Sequence, residues 1–126
     1  MAKRLLFVIL VLLSFIQPVS SGPRTWGKSG SATSTSTQLT CQDDNSVNFN
    51  PASICVKNTG ATNDLIINWQ NASPVASATD NKGNIIIKPG DTMCYTSGNP
   101  NVLNTFIVAV FSTSGTTYNI QAVAAR

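Results

Sequence analysis

Past Thr40, no window of about a dozen residues repeats apolar side chains at i, i+3, i+4 and i+7, the spacing an amphipathic helix requires. Short β-branched and aromatic runs stand instead between clusters of Asn, Gly, Pro, Asp and Ser, the pattern of strands bounded by turns. Strands are expected at 38–41, 46–49, 53–57, 64–69, 84–88, 92–96, 105–112 and 116–124. The breaks have explicit chemistry. "NTGATND" (58–64) is a turn in which Gly60 is free to take positive φ, and "KPGD" (88–91) puts Pro89 and Gly90 at the central positions of a type II turn. "STSGTT" (112–117) joins the last two strands as a hairpin around Gly115. Eight short strands at this spacing predict an all-β fold, an antiparallel sandwich or a small barrel.

The period of two assigns faces. Leu65, Ile67 and Trp69 point one way and Ile66 and Asn68 the other; Ile85 pairs in phase with Ile87, and Met93 with Tyr95. "FIVAVF" (106–111) is apolar on both faces, as a covered central strand is, and Tyr118, Ile120 and Ala122 close the core. The cysteines follow the same rule. With Ile54 and Val56 inward, Cys55 faces out; with Met93 and Tyr95 inward, so does Cys94. If their strands are antiparallel neighbours, opposed Cα atoms lie about 4.5–5.5 Å apart, inside the roughly 4.4–6.8 Å a disulfide spans. Cys41 shares its phase with Leu39, so it faces inward or ends a strand. Periodicity alone does not say which strands are neighbours. Cys41 therefore stays open as an unpaired thiol, an intermolecular thiol, or a substitute for Cys55.

The N-terminus sets the compartment. Lys3 and Arg4 precede an apolar run from Leu5 to Ile16, Pro18 ends it, and Val19 and Ser21 are small residues at the −3 and −1 positions of a signal-peptide site. A spanning helix takes roughly 20 apolar residues, so residues 1–21 are expected to be a cleaved signal peptide rather than a retained anchor, with no stable membrane span afterwards. The product is expected outside the cell or on its surface. Cleavage also removes two cations: the 8 basic and 5 acidic residues of the whole chain become 6 and 5, and net charge falls from +3 to +1. The remaining bases (Arg24, Lys28, Lys57, Lys82, Lys88, Arg126) are scattered, which is no footprint for nucleic acid. Residues 22–37, rich in Gly, Ser and Thr, are expected to be a flexible arm before a sandwich domain at 38–126. The arm's uncharged part, 31–40, has the composition to pair as a strand with its own sheet edge or a neighbour's.

The chain contains no histidine and no glutamate. Serine–histidine and cysteine–histidine nucleophile pairs are impossible, and the commonest zinc ligand is missing. No catalytic residue, metal ligand or cofactor is expected. Asp43-Asp44-Asn45 lacks the spaced loop and bidentate Glu of a calcium site. Asn71-Ala72-Ser73 is a glycosylation sequon in the loop after Trp69. An exported module built this way is read as a non-catalytic structural or interaction protein: a subunit of a cell-surface or virion assembly, or an adhesin-like domain. Its partners are other proteins or further copies of itself. The alternatives are a carbohydrate-binding module using Trp26 or Trp69 as ligand-facing aromatics, or a small hydrolase using Asp64 or Asp91.

The order "ICVKNTGATNDLIINW", "NIIIKPGDTMCYTS", "FIVAVFSTSGTTYNIQAVA" resembles the small immunoglobulin-like sandwiches of bacterial surface and phage structural proteins, through Asn58-Thr59-Gly60 and Pro89-Gly90-Asp91. The resemblance spans 53–124 and rests on turn chemistry. It implies an immunoglobulin-like sandwich of seven or eight strands, in which the strand before Asn-Thr-Gly neighbours the strand after Pro-Gly-Asp. That neighbourhood implies a Cys55–Cys94 disulfide.

Overall fold

The computed structural model describes residues 24–69, 75–78, 83–96 and 107–124. Within them lie eight strands: β1 Thr25–Ala32, β2 Thr37–Thr40, β3 Pro51–Asn58, β4 Leu65–Asn68, β5 Ile85–Ile87, β6 Thr92–Thr96, β7 Ile107–Phe111 and β8 Thr116–Ala124. No helix among the described residues is long and apolar enough to cross a membrane. The expected signal segment, the Asn71 sequon and Phe106 fall outside the described residues.

Two four-stranded antiparallel sheets face each other, ordered β1-β8-β3-β6 and β2-β7-β4-β5. β1 pairs with β8, β2 with β7, β3 with β6 and β4 with β5. The chain thus behaves as one long hairpin, closed between β4 and β5 and rolled up so that, apart from that pair, successive strands alternate in sheet. That is the jelly-roll arrangement of a sandwich. An immunoglobulin order would set β1 beside β2 in one sheet, whereas these two strands lie in opposite sheets. What the turn motifs implied locally does occur: β3, which ends at Asn58, neighbours β6, which follows Asp91.

The core fills the space between the sheets with the inward residues of alternate positions. Ile54 and Val56 of β3, Leu65 and Ile67 of β4, Val108 and Val110 of β7 and Ile120 of β8 are buried, with Trp69, Phe49 and Tyr118 among them. β7 is covered on both faces. Its Ala109 and Phe111 join Ala76 in a second cluster, on the side away from the main core, with Ile66 packed against it.

Turn conformation follows the residue types. Gly90 has φ 80° and Asp91 N–H donates to Lys88 O at 3.0 Å, as a type II turn requires. Gly115 has φ 81° in the turn from β7 to β8, but that turn crosses from one sheet to the other, so the hairpin expected at 112–117 does not form. Gly60 is different, since it is absent from the positive-φ glycines. A Cβ there would overlap Thr116 Oγ1. The glycine is needed for space, not for backbone freedom.

Three further expectations change. The stretch read as a flexible arm contains β1, which runs beside β8 in unbroken register from Thr25↔Val123 to Ala32↔Thr116. Its Gly- and Ser-rich sequence carries almost no hydrophobic signal. The strand forms because β8 offers a row of backbone partners, and an edge position asks little of side chains. The expected strand at 46–49 reduces to an isolated bridge, Gln42↔Asn48. There Asp43 Oδ1 accepts from Asn45 and Val47 N–H, both at 2.9 Å, and Ser46 takes φ 62°, so the backbone turns instead of extending. Met93, in the inward phase of β6, is exposed because β6 is the last strand of its sheet.

Candidate functional site

Two constellations stand out: the cysteine pair on the outer face of the first sheet, and a polar cluster where three turns meet.

β3 and β6 place Cys55 directly opposite Cys94, and the two form a disulfide with Cα atoms 4.1 Å apart. The bond spans 39 residues of sequence and fastens an edge strand to the interior of its sheet. Ser53 and Thr96, one step along the same face, bring their hydroxyls to 3.5 Å. Cys41 is a free thiol, fully buried in the main core. Burial pushes its pKa from 9.0 up to about 12. A thiol held neutral and out of solvent neither attacks nor is reached by another thiol. The intermolecular role read from the sequence therefore does not fit Cys41 in this fold.

Both tryptophans are positioned by packing. Trp69 is buried with 4% exposure and its ring lies 6.2 Å from that of Tyr95, tilted by 55°. It cannot face a ligand, because it follows the inward phase of Leu65 and Ile67. Trp26 of β1 is half-buried and packs against the main core.

The polar cluster is built on Asn58, the last residue of β3. Its side chain is fully buried. Nδ2 donates to Asn63 O (2.8 Å) and Ile87 O (3.0 Å), while Oδ1 accepts from Gly60 N–H (3.1 Å) and Thr116 Oγ1 (2.8 Å). One amide thus joins β3, β8, the turn after β3, and β5 of the opposite sheet. The backbone completes the join: Asn58 N–H donates to Asp91 O and Gly90 N–H to Asn58 O, at 3.0 and 2.9 Å. Around it, Thr59 Oγ1 meets Thr117 Oγ1 at 2.8 Å, Asn63 Nδ2 donates to Gly115 O at 2.7 Å, and Ser112 Oγ to Asp64 O at 2.8 Å. The motifs Asn-Thr-Gly and Pro-Gly-Asp are therefore two halves of one clasp between the sheets. Periodicity could not find it, since these atoms are far apart in sequence; only the turn residues signalled its place.

The carboxylates are held singly. Asp64 pairs with Lys88 at 2.7 Å and Asp43 with Arg24 at 3.5 Å. Among the described residues no three His, Cys, Asp or Glu side chains gather where a metal ion could sit. Beside the clasp an open cleft of about 350 Å³ is lined by Thr62, Asn63, Asp64, Ile66, Ile86 and Ser112 among others. Three of its polar residues already serve the fold: Asn63 donates to Gly115 O, Asp64 accepts from Lys88, and Ser112 donates to Asp64 O.

No family model matches the chain, and no curated protein matches it. A solved structure described as "Bacillus endospore appendages form a novel family of disulfide-linked pili" resembles it with a TM-score of 0.35 at 10% identity, over 86% of this chain and 96% of that chain. At that TM-score the likeness carries no argument about fold or role.

Proposed function

We propose that the protein is a non-catalytic structural or interaction module, exported after removal of residues 1–21 and used as a subunit of a surface or virion assembly or as an adhesin-like domain. The observation that supports it is the Cys55–Cys94 bond across an exposed edge strand. Such bonds persist in oxidising compartments, where small domains use them to reinforce modest cores. The polar residues that gather at the turn end are spent on holding the two sheets together, as a building block requires. A glycan-binding role keeps only Trp26 as an aromatic platform, because Trp69 belongs to the core.

The test is the protein recovered from the medium. Its intact mass should correspond to a chain beginning at Gly22 with one disulfide, and its native size should exceed that of one chain, or it should adhere to a surface. Turnover of a polysaccharide or ester substrate, abolished by Asp64→Asn or Asp91→Asn, would replace this reading with the hydrolase.

A further inference from the structure

We propose that β1 is exchanged between copies of this chain, so that Thr25–Ala32 of one molecule occupies the β8 edge of the next and residues 33–36 act as the hinge. This rests on the structural-subunit reading above and names its partner, a second identical chain.

The argument begins with how β1 is held. It is an edge strand paired to β8 alone, and most of its residues are exposed. Leaving costs it little side-chain burial: Ala32 is buried, and Trp26 and Gly30 are partly so. Leaving costs β8 much more. Tyr118, Ile120 and Ala122 are 4%, 0% and 1% exposed with β1 in place, and they stand opposite Gly30, Lys28 and Trp26. An empty seat would expose core side chains beside a row of unpaired backbone groups, so it must be refilled.

The seat is shaped for this strand. A Cβ at Gly30 would lie 2.7 Å from Tyr118 Oη, so the glycine admits the ring of Tyr118 where another residue would strike it. Asn119 Nδ2 donates to Ser29 Oγ at 2.7 Å, which marks the register. The segment shown to fit is β1, and every copy carries one. Stacking a further strand outside β1 is disfavoured, because Lys28 takes a core-facing position on an edge strand, a placement that blunts edges.

The hinge permits the exchange. β1 and β2 belong to opposite sheets, so residues 33–36 (Thr-Ser-Thr-Ser) cross between them. They are held by a few single bonds, chiefly Ser112 N–H to Thr33 O at 2.9 Å and Ala76 N–H to Ser36 Oγ at 3.1 Å. Sheets stack about 10 Å apart. The five Cα steps from Ala32 to Thr37, straightened, reach about 17 Å. That is enough to carry β1 past its own seat. With cleavage after Ser21, only residues 22–24 precede β1, and the strand moves as a free end with nothing to thread. Each molecule then gives one strand and receives one, and head-to-tail contacts of this kind close into a ring or run on as a filament according to the rotation between neighbours.

The test uses the register pair Ser29↔Asn119. Full-length mature chains carrying Ser29→Cys and Asn119→Cys are made with heavy and light isotope labels, mixed as unfolded chains, refolded together and oxidised; free thiols are then blocked before digestion. Exchange predicts that about half of the 29–119 cross-linked peptides join a heavy to a light half, as random pairing of identical chains requires. It also predicts a ladder of covalent multimers on a non-reducing gel. Cross-links confined to heavy–heavy and light–light pairs, with a single monomer band, overturn the proposal. Should the cysteine variant not fold, sedimentation of a chain lacking 24–32 decides: a multimer that persists without β1 overturns exchange, and one that is lost supports it. A native protein that is a polymer but fails these tests keeps the structural-subunit reading and loses only the exchange.

Discussion

Replacing Asn58 tests whether the clasp holds the sandwich together. In Asn58→Ala the four side-chain hydrogen bonds vanish, and two of the groups left behind, Ile87 O and Thr116 Oγ1, lie in buried contacts. Each buried polar group left unpaired costs about 1–3 kcal/mol. The loss should total about 3–5 kcal/mol, once some relaxation of Thr116 and the partly exposed partners Asn63 O and Gly60 N–H are allowed for. That is a large share of the roughly 5–15 kcal/mol that stabilises a domain. Asn58→Asp sharpens the test. A carboxylate keeps the bonds from Gly60 N–H and Thr116 Oγ1 but turns lone pairs toward the carbonyls of Asn63 and Ile87, and it buries a charge. Its folded pKa rises above the unfolded value of about 3.9. Since the folded state then binds more protons than the unfolded one, stability falls as pH rises from about 4 toward the raised pKa. Urea unfolding followed by tryptophan fluorescence, at pH 4 and pH 7 and referred to wild type, measures both. Asn58→Ala should show the same loss at each pH, and Asn58→Asp a larger one at pH 7. If Asn58→Ala costs under about 1 kcal/mol, or Asn58→Asp shows no added loss at pH 7, the clasp does not carry the load assigned to it.

Cys55→Ser with Cys94→Ser removes the staple over 39 residues and should lower stability by about 3–4 kcal/mol, seen as a fall in denaturant midpoint; an unchanged midpoint would mean the bond contributes nothing. Gly60→Ala places a Cβ against Thr116 Oγ1 and should cost about 1–3 kcal/mol, with part of the loss recovered in Gly60→Ala/Thr116→Ala; strict additivity in that cycle would refute the contact. Cys41, raised to about 12 by burial, keeps its proton in the folded chain after the unfolded chain has released it. Stability should therefore fall by about 1.4 kcal/mol per pH unit above pH ~9. Cys41→Ala should remove the part of that slope due to the thiol, leaving what the Tyr118 hydroxyl, also raised by burial, contributes, and a thiol reagent should react with Cys41 only on unfolding; rapid labelling of the native protein would show that the core is open there.

Much of this protein was settled within a few residues of each position. β6 and β8 fall where the runs Thr92–Thr96 and Thr116–Ala124 place them, because β-branched alternation and turn residues act locally. The faces of Trp69, Cys55 and Cys94 follow from a period of two that holds in any sheet. Strand order, by contrast, belongs to the tertiary structure. Alternation says which way a side chain points and is silent about which strand lies alongside, so a chain that reads as an immunoglobulin-like sandwich rolls up as a jelly roll. β1 was invisible for the same reason, since the hydrogen-bonding edge of β8, 84 to 98 residues away, makes a strand of Thr25–Ala32. Asp43 shows the converse: its carboxylate captures Asn45 and Val47 N–H and turns an apparent strand into a loop. Gly60 was legible as a special position but not as the right kind, because what it avoids is the Thr116 hydroxyl arriving from another strand. Backbone propensity acts through neighbours in sequence, while pairing, clasp and steric fit act through neighbours in space.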